Sequence, residues 1–176
     1  MRKLLVAVFV MALSATAFAG EITTATVLAE MNRYRVDGGL APLAIDERLM
    51  KAADYRIRDM EEMSYWAHTS PDGRSPFDML RPLGYEYKIA GENLASGFET
   101  AEVLVESWME SKGHRDNIMG AQFEHCGIGI IEGSTTGRAM GRSIVVLFAR
   151  PLPVPVQVAR ESKVRAIEPA KISSAP

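Results

Sequence analysis

Apolar positions along this chain change period several times, and each change marks an element. Val27, Met31 and Tyr34 recur at helical spacing behind Thr23 and Thr24, either of which can cap the helix, and Gly38-Gly39 stops it. Leu40-Ala41-Pro42-Leu43 follows as an extended connector, because the residue before a proline is pushed out of the helical region. Asp46 caps a second helix with Leu49, Ala53, Ile57 and Met60 on one face and Arg48, Lys51, Asp54 and Arg58 mostly outside it. Ser70-Pro71-Asp72-Gly73 is a turn signature. Beyond it, Ser75, Pro76 and Asp78 make a capping-box-like start to a third, short helix that Gly84 ends.

Tyr85 to Ala90 reads as a strand leading into Gly91-Glu92-Asn93, which sets Glu92 in a Gly-bracketed turn with Asn93 as a turn-fixing amide. Thr100 caps a fourth helix that turns Val103, Leu104, Trp108 and Ser111 inward. Gly113 stops that helix, and His114 to Met119 forms one or two further turns closed by Gly120. Phe123 to Glu132 and Ser143 to Ala149 are apolar and β-branched around a Gly- and Thr-containing segment, the pattern of an antiparallel hairpin. Gly127 and Gly129 alternate with Cys126, Ile128 and Ile130, so one face of the first of these strands is bare and something must approach it closely.

The ends of the chain follow different rules. Arg2 and Lys3, the apolar run Leu4 to Leu13 and the small residues of Ala17-Phe18-Ala19 form the pattern of a secretory signal peptide, with a run too short to cross a bilayer. Residues 1–19 are therefore expected to be removed, leaving no transmembrane anchor and a secreted or periplasmic product. Residues 20–150 then form one domain, and residues 151–176, proline-bearing and without an aromatic, read as an extended or disordered tail.

Removing Arg2 and Lys3 from the 20 basic side chains leaves 18 against 22 acidic, and residues 20–150 hold 14 against 20. An acidic domain argues against a nucleic-acid partner. The single cysteine, Cys126, excludes an intramolecular disulfide, so stability rests on packing.

The candidate chemistry lies in three residues. His68 sits beside the turn, Glu92 follows Gly91 and His114 follows Gly113. Imidazole titrates near neutrality, and a neighbouring carboxylate fixes which ring nitrogen carries the proton. Two histidines and a glutamate on one cleft could bind a divalent metal or polarise a water, but no local ligand spacing ties the three together. Separately hydrogen-bonded scaffold residues would show the same pattern. Cys126 reads as a buried inert thiol, His125 as a packing residue, and Trp66 and Trp108 as core aromatics. Ser107 and Ser111 lack the nucleophile-elbow context of a serine hydrolase.

Taken in order, several motifs resemble a known family. These are N-x-x-R (Asn32, Arg35), L-A-P-L, H-T-S-P-D-G-R-S-P, L-G-Y, G-E-N-L-A, W-M-x-S-K-G-H-R-x-N-I-M and F-x-x-C-G-I-G. Together they resemble the bacterial branch of the CAP superfamily, the cysteine-rich secretory proteins, antigen 5 and pathogenesis-related 1 proteins, also called the SCP domain. The resemblance runs from about Ala25 to Ala149. It implies an α+β fold, an α-β-α sandwich with a small antiparallel sheet between helical layers, and a cleft of two histidines and two acidic residues. By position these fall on His68, Glu92 and His114, with the second glutamate of eukaryotic members replaced by Ser111. Glu106 and Glu110 are nearby, but Glu110 lies about 100° around the helix from the expected face.

Three functions follow from the resemblance: a binding module for a lipid, cell-envelope component or partner protein; a metal-assisted hydrolase or peptidase; or a structural envelope protein with a vestigial cleft. His68 and His114 are the expected ligands if a zinc ion is held. The leader makes the first testable prediction. Intact mass of the exported protein should place its amino terminus at Gly20, whereas a product retaining Leu4 to Leu13 would reveal an anchor.

Overall fold

A computed structural model describes residues 20–133 and 142–153; the expected leader, residues 134–141 and the tail beyond residue 153 lie outside the described residues. Helix α1 (Thr24–Asp37) starts where Thr23 and Thr26 exchange hydroxyl and amide hydrogen bonds, and Gly38 closes it. Strand β1 (Ala44–Ile45) leads to Asp46, whose carboxylate accepts the Arg48 amide and caps α2 (Glu47–Glu62). Strand β2 (Tyr87–Phe98), helices α3 (Ala101–Glu110) and α4 (Lys112–Ile118), and strands β3 (His125–Glu132) and β4 (Arg142–Pro151) complete the order.

The sheet runs β1-β3-β4-β2. Strand β4 pairs antiparallel with both β2 and β3, but β1 lies parallel to β3 through Ala44 opposite His125 and Ile45 opposite Cys126. The sheet is thus mixed at one edge, since β1 is followed by a helix and joins β3 by a crossover and not a hairpin.

Side-chain alternation splits the core in two. Leu94, Val145, Leu147 and Ala149 meet Leu49, Ala53, Ile57 and Met60 of α2. On the opposite face Ala95, Cys126, Ile128, Val146 and Phe148 meet Val27, Met31, Leu104, Val105, Trp108 and Ile118. Among the described residues the result is an α-β-α sandwich, with α2 on one side and α1, α3 and α4 on the other.

The bare strand face is filled by α2 itself. A Cβ on Gly127 would lie 2.1 Å from the Leu49 carbonyl carbon, and one on Gly129 would lie 2.4 Å from the Ala53 carbonyl oxygen. Only glycine lets the helix backbone sit at that depth.

Arg35, buried and without a carboxylate partner among the described residues, donates to the carbonyls of Ala41, Ile118, Gly120 and Phe123 at 2.7–3.1 Å. Burial lowers its pKa, but an arginine keeps its charge, which here is solvated by main-chain dipoles. It joins the end of α1 to the C-terminal end of α4.

Four local expectations are corrected. Ser75 to Gly84 makes the anticipated cap, with the Ser75 amide 2.8 Å from the Asp78 carboxylate, yet continues as successive turns and not as a helix. Pro82 offers no amide donor, so the bond a continuing helix would make from this position to the Asp78 carbonyl is missing. Strand β2 runs unbroken through Gly91-Glu92-Asn93, because pairing with Phe148, Leu147 and Val146 outweighs local turn chemistry. In α3 the inner face is Ala101, Leu104, Val105 and Trp108, which leaves Val103 54% exposed and Ser111 in solvent. The break falls at Ser111, with ψ 120°, so Gly113 and His114 lie inside α4.

Two glycine substitutions test this packing. Gly127→Ala should cost at least about 3 kcal/mol, because the clash is with helix backbone that cannot rotate away. Gly113→Ala, where nothing lies within 4 Å of the added carbon, should stabilise by about 0.5–1 kcal/mol. Urea unfolding of both variants reads the difference.

Candidate functional site

Glu92 and Asn93 are neighbours on β2, and strand alternation sends their side chains to opposite faces of the sheet. Each secures one histidine segment. On the α2 side the Glu92 Oε2 atom lies 2.7 Å from His68 Nδ1, while Oε1 accepts from Arg56 Nε at 3.0 Å. The Glu92 side chain is 2% exposed and that of His68 is 61% exposed, so a buried carboxylate holds an imidazole that faces solvent.

The His68 loop is pinned from beneath. Arg56, at the third turn of α2, also donates to the Tyr65 hydroxyl and to the carbonyls of Ala67 and His68. Tyr65 in turn donates to Asp59, which also receives Arg74 at 2.8 Å. Burial works against the Asp59 carboxylate, but Tyr65 and Arg74 outweigh it and hold its pKa down. The turn closes with the Gly73 amide on the Ser70 carbonyl at 2.8 Å, and Arg74 binds Asp72 at 2.6 Å.

Across the sheet, the Asn93 amide donates to the His114 carbonyl at 3.1 Å, and Asn117 donates to the Asn93 side chain at 2.8 Å and to the Glu92 carbonyl at 3.1 Å. Trp108 Nε1 donates to the Leu94 carbonyl at 3.2 Å. Glu92 and Leu94 are two residues apart and so present carbonyls on the same strand edge, which Asn117 and Trp108 cover. The His114 ring lies beside the Trp108 indole, centroids 6.2 Å apart. Its pKa is lowered by burial first, and then by the charge of His68.

This geometry fixes what each group can do. Burial pushes the Glu92 carboxyl up, while His68 and Arg56 pull it back. As a carboxylate it accepts only, so His68 carries its proton on Nδ1 and turns the Nε2 lone pair outward. Each Glu92 oxygen accepts one hydrogen bond and the side chain is 2% exposed, so the carboxylate orients the imidazole from beneath and offers little surface to solvent. Among the described residues no group of three or more His, Cys, Asp or Glu side chains could hold a metal ion together. The donors that fit zinc are the outward Nε2 of His68 and the imidazole of His114, fewer than the three protein ligands usual even for open zinc sites.

The remaining candidates stand apart. His125 meets the Tyr85 hydroxyl at 2.9 Å, and burial pushes the Cys126 thiol up to about 12. Ser111, where the resemblance implies a second glutamate, makes no side-chain hydrogen bond to cap α4, and Glu106 and Glu110 are exposed. Asn93 is fully buried and bridges β2 to α4; it fixes no turn. Arg56 and Asp59 were missed by the sequence pattern, although a signal existed. Both fall on the apolar face of α2, among Ala52, Ala53, Ile57 and Met60, where an unpartnered charge would be costly.

Glu92→Ala should destabilise by about 3–5 kcal/mol, since it strands a buried guanidinium, and Glu92→Gln by less because an acceptor for Arg56 remains. His114 should titrate below the ordinary 6.5, and in His68→Ala its midpoint should rise as the like charge is removed. A depressed imidazole pKa means the unfolded chain binds the proton more readily, so this contribution to stability is present above 6.5 and is lost as pH falls toward the folded value. Histidine-resolved NMR titration and acid-side unfolding curves check the two statements.

Comparisons with known proteins agree on what this chain is. The family model of the cysteine-rich secretory protein family, CAP, matches residues 28–148. The uncharacterized protein YkwD of Bacillus subtilis (strain 168) is 48% identical over 101 residues, covering 57% of this chain and 39% of YkwD. The uncharacterized membrane protein YlbC of the same organism is 33% identical over 99 residues, 56% of this chain and 29% of YlbC. The chain therefore spans well under half the length of these curated relatives. An extracellular protein containing a SCP domain from Bacillus anthracis str. Ames superposes with a TM-score of 0.60 at 26% identity, over 70% of this chain and 39% of its own. An outer surface protein from Borrelia burgdorferi gives a TM-score of 0.65 at 22% identity, a likeness of fold, over 76% of this chain and 98% of its own. With a family match over most of its length and the same sandwich in its structural relatives, the chain belongs to the cysteine-rich secretory protein, or CAP, family.

Proposed function

We propose that this chain is an exported binding module, secreted or periplasmic, whose cleft between His68 and His114 takes a lipid, another cell-envelope component or a partner protein. One observation carries the proposal. The acid of the site, Glu92, is buried and spent on orienting His68, while the ring it orients is open to solvent. That division suits a recognition group better than an acid-base pair, and the position of a second carboxylate holds Ser111. Export rests on the leader pattern of residues 1–19, and the extracellular and outer-surface descriptions of the structural relatives support it.

A second reading, the metal-assisted hydrolase, draws on the carboxylate-imidazole pair, an arrangement that orients metal-ligating histidines. His68 and His114 would hold the zinc, whose contribution is Lewis-acid polarisation of a water. With two imidazoles as protein ligands, binding should be weak and should fade below pH ~6.5 as protons compete.

Two measurements separate these readings. Untargeted identification of what co-purifies with the mature protein from its native compartment should yield a bound molecule that the His68→Ala, His114→Ala double variant loses while staying folded. A double variant changed only in stability would return the cleft to a structural role. Zinc calorimetry at pH 7.5 and 5.5 on wild type and each single variant tests the metal. Equal binding by all three proteins would remove the shared zinc site.

A further inference from the structure

We propose that Arg56 is the positioning residue of the cleft: its guanidinium fixes the ring orientation and tautomer of His68 without touching whatever the cleft binds. The proposal rests on His68 as the ligand-facing group, but it can be tested with no ligand present.

The argument is geometric. Nε donates to Glu92 Oε1 at 3.0 Å, Nη2 donates to the carbonyls of Ala67 and His68, both at 2.8 Å, and Nη1 donates to the Tyr65 hydroxyl. One planar group therefore binds His68 at both ends, at its own main-chain carbonyl and at the carboxylate that receives its ring Nδ1. Fixing both ends of a side chain leaves few rotamers. Asp59 lies 4.0 Å from Nη1, and Arg74 holds Asp59, so the clamp is itself held in register.

A purely structural ion pair would need the charge of Arg56 but not its shape. Holding Glu92 through Nε, Tyr65 through Nη1 and both carbonyls through Nη2 at once needs the planar fork, whose three nitrogens lysine cannot reproduce. Without the fork, the Ala67 and His68 carbonyls lose their donor and Glu92 loses its Arg56 anchor, so the loop no longer holds Nδ1 against Oε2. The ring should then be free to populate the Nε2–H tautomer, the form that predominates in unconstrained histidine.

The test is nitrogen-15 NMR of the imidazole rings in the full mature chain, in wild type, Arg56→Lys and Arg56→Met, with thermal unfolding measured alongside. The wild-type His68 should be held in the Nδ1–H form. Both variants should show a mixed tautomer, and if wild type binds zinc they should bind it about 10- to 100-fold more weakly. A wild-type ring in folded Arg56→Lys would overturn the proposal and leave Arg56 as a structural charge. Should neither variant fold, Tyr65→Phe carries the test. It removes one acceptor from the guanidinium and leaves Glu92 and His68 in place, so a smaller change in the same direction is expected and an unchanged ring overturns the role. An unchanged ring would leave ligand capture by His68 untouched, and a failed capture would leave the ring result standing. The two proposals therefore fail independently.

Discussion

A carboxylate withdrawn from water must be paired, and the burial of Glu92 sets the conditions that much of this domain meets. Its partner, Arg56, comes from a helix on the other layer, and a guanidinium spans only a short distance from its backbone. Helix α2 must therefore lie deep against the sheet. Gly127 and Gly129 allow that depth under Leu49 and Ala53, and Arg56 follows Ala53 by three residues, about one helical turn. Thus α2 seats on β3 at its start and reaches the Glu92 of β2 with its next turn. A side chain at either glycine would lift the helix, and the ion pair that holds the cleft histidine would lengthen with it.

The opposite layer solves the matching problem with neutral groups. Edge carbonyls of β2 accept from Asn117 and from the Trp108 indole, and Asn93 returns a bond to α4 at His114. Arg35 stabilises the far end of that helix through the carbonyls of Ile118 and Gly120. The two buried arginines are thus handled differently. Arg56 meets a carboxylate and Arg35 meets main-chain dipoles, yet each fixes the element that carries one of the histidines. This gives the motif spacing a physical content: N-x-x-R supplies the anchor of α4, G-E-N supplies one hook for each layer, and W and N-I-M cover the strand edge between them.

What could be read from the residues was what short-range physics decides. Thr23, Asp46 and Thr100 announce their helices because a cap is satisfied within a few residues, and the alternation of Gly127 and Gly129 announced a close neighbour without naming it. What could not be read depended on pairing across the chain. Gly91-Glu92-Asn93 looks like a turn until β4 lies beside it, and no local signal brings β4 there. Likewise Gly113 looks like a helix stop, but the break comes two residues earlier, at Ser111, where α3 exhausts its inner face. For the site, His68, Glu92 and His114 could be named from motif order, and the 2.7 Å contact then ties the first two together. The clamp was hidden because Arg56 sits among apolar neighbours and reads as one more charge on an amphipathic helix.

The two histidines are held in different ways, and this shapes the chemistry available to the cleft. His68 is tied by its ring, through charge, and faces solvent; His114 is tied by its main chain, and its ring rests beside Trp108. The first has a defined tautomer and a lone pair in a fixed direction. The second has its pKa lowered by burial first, and further by His68 when that ring takes up a proton. Because burial and His68 both resist a charge on His114, the cleft resists becoming doubly cationic as pH falls. On the proposed binding reading, a ligand would meet one imidazole held from below through its ring and one ring beside an indole.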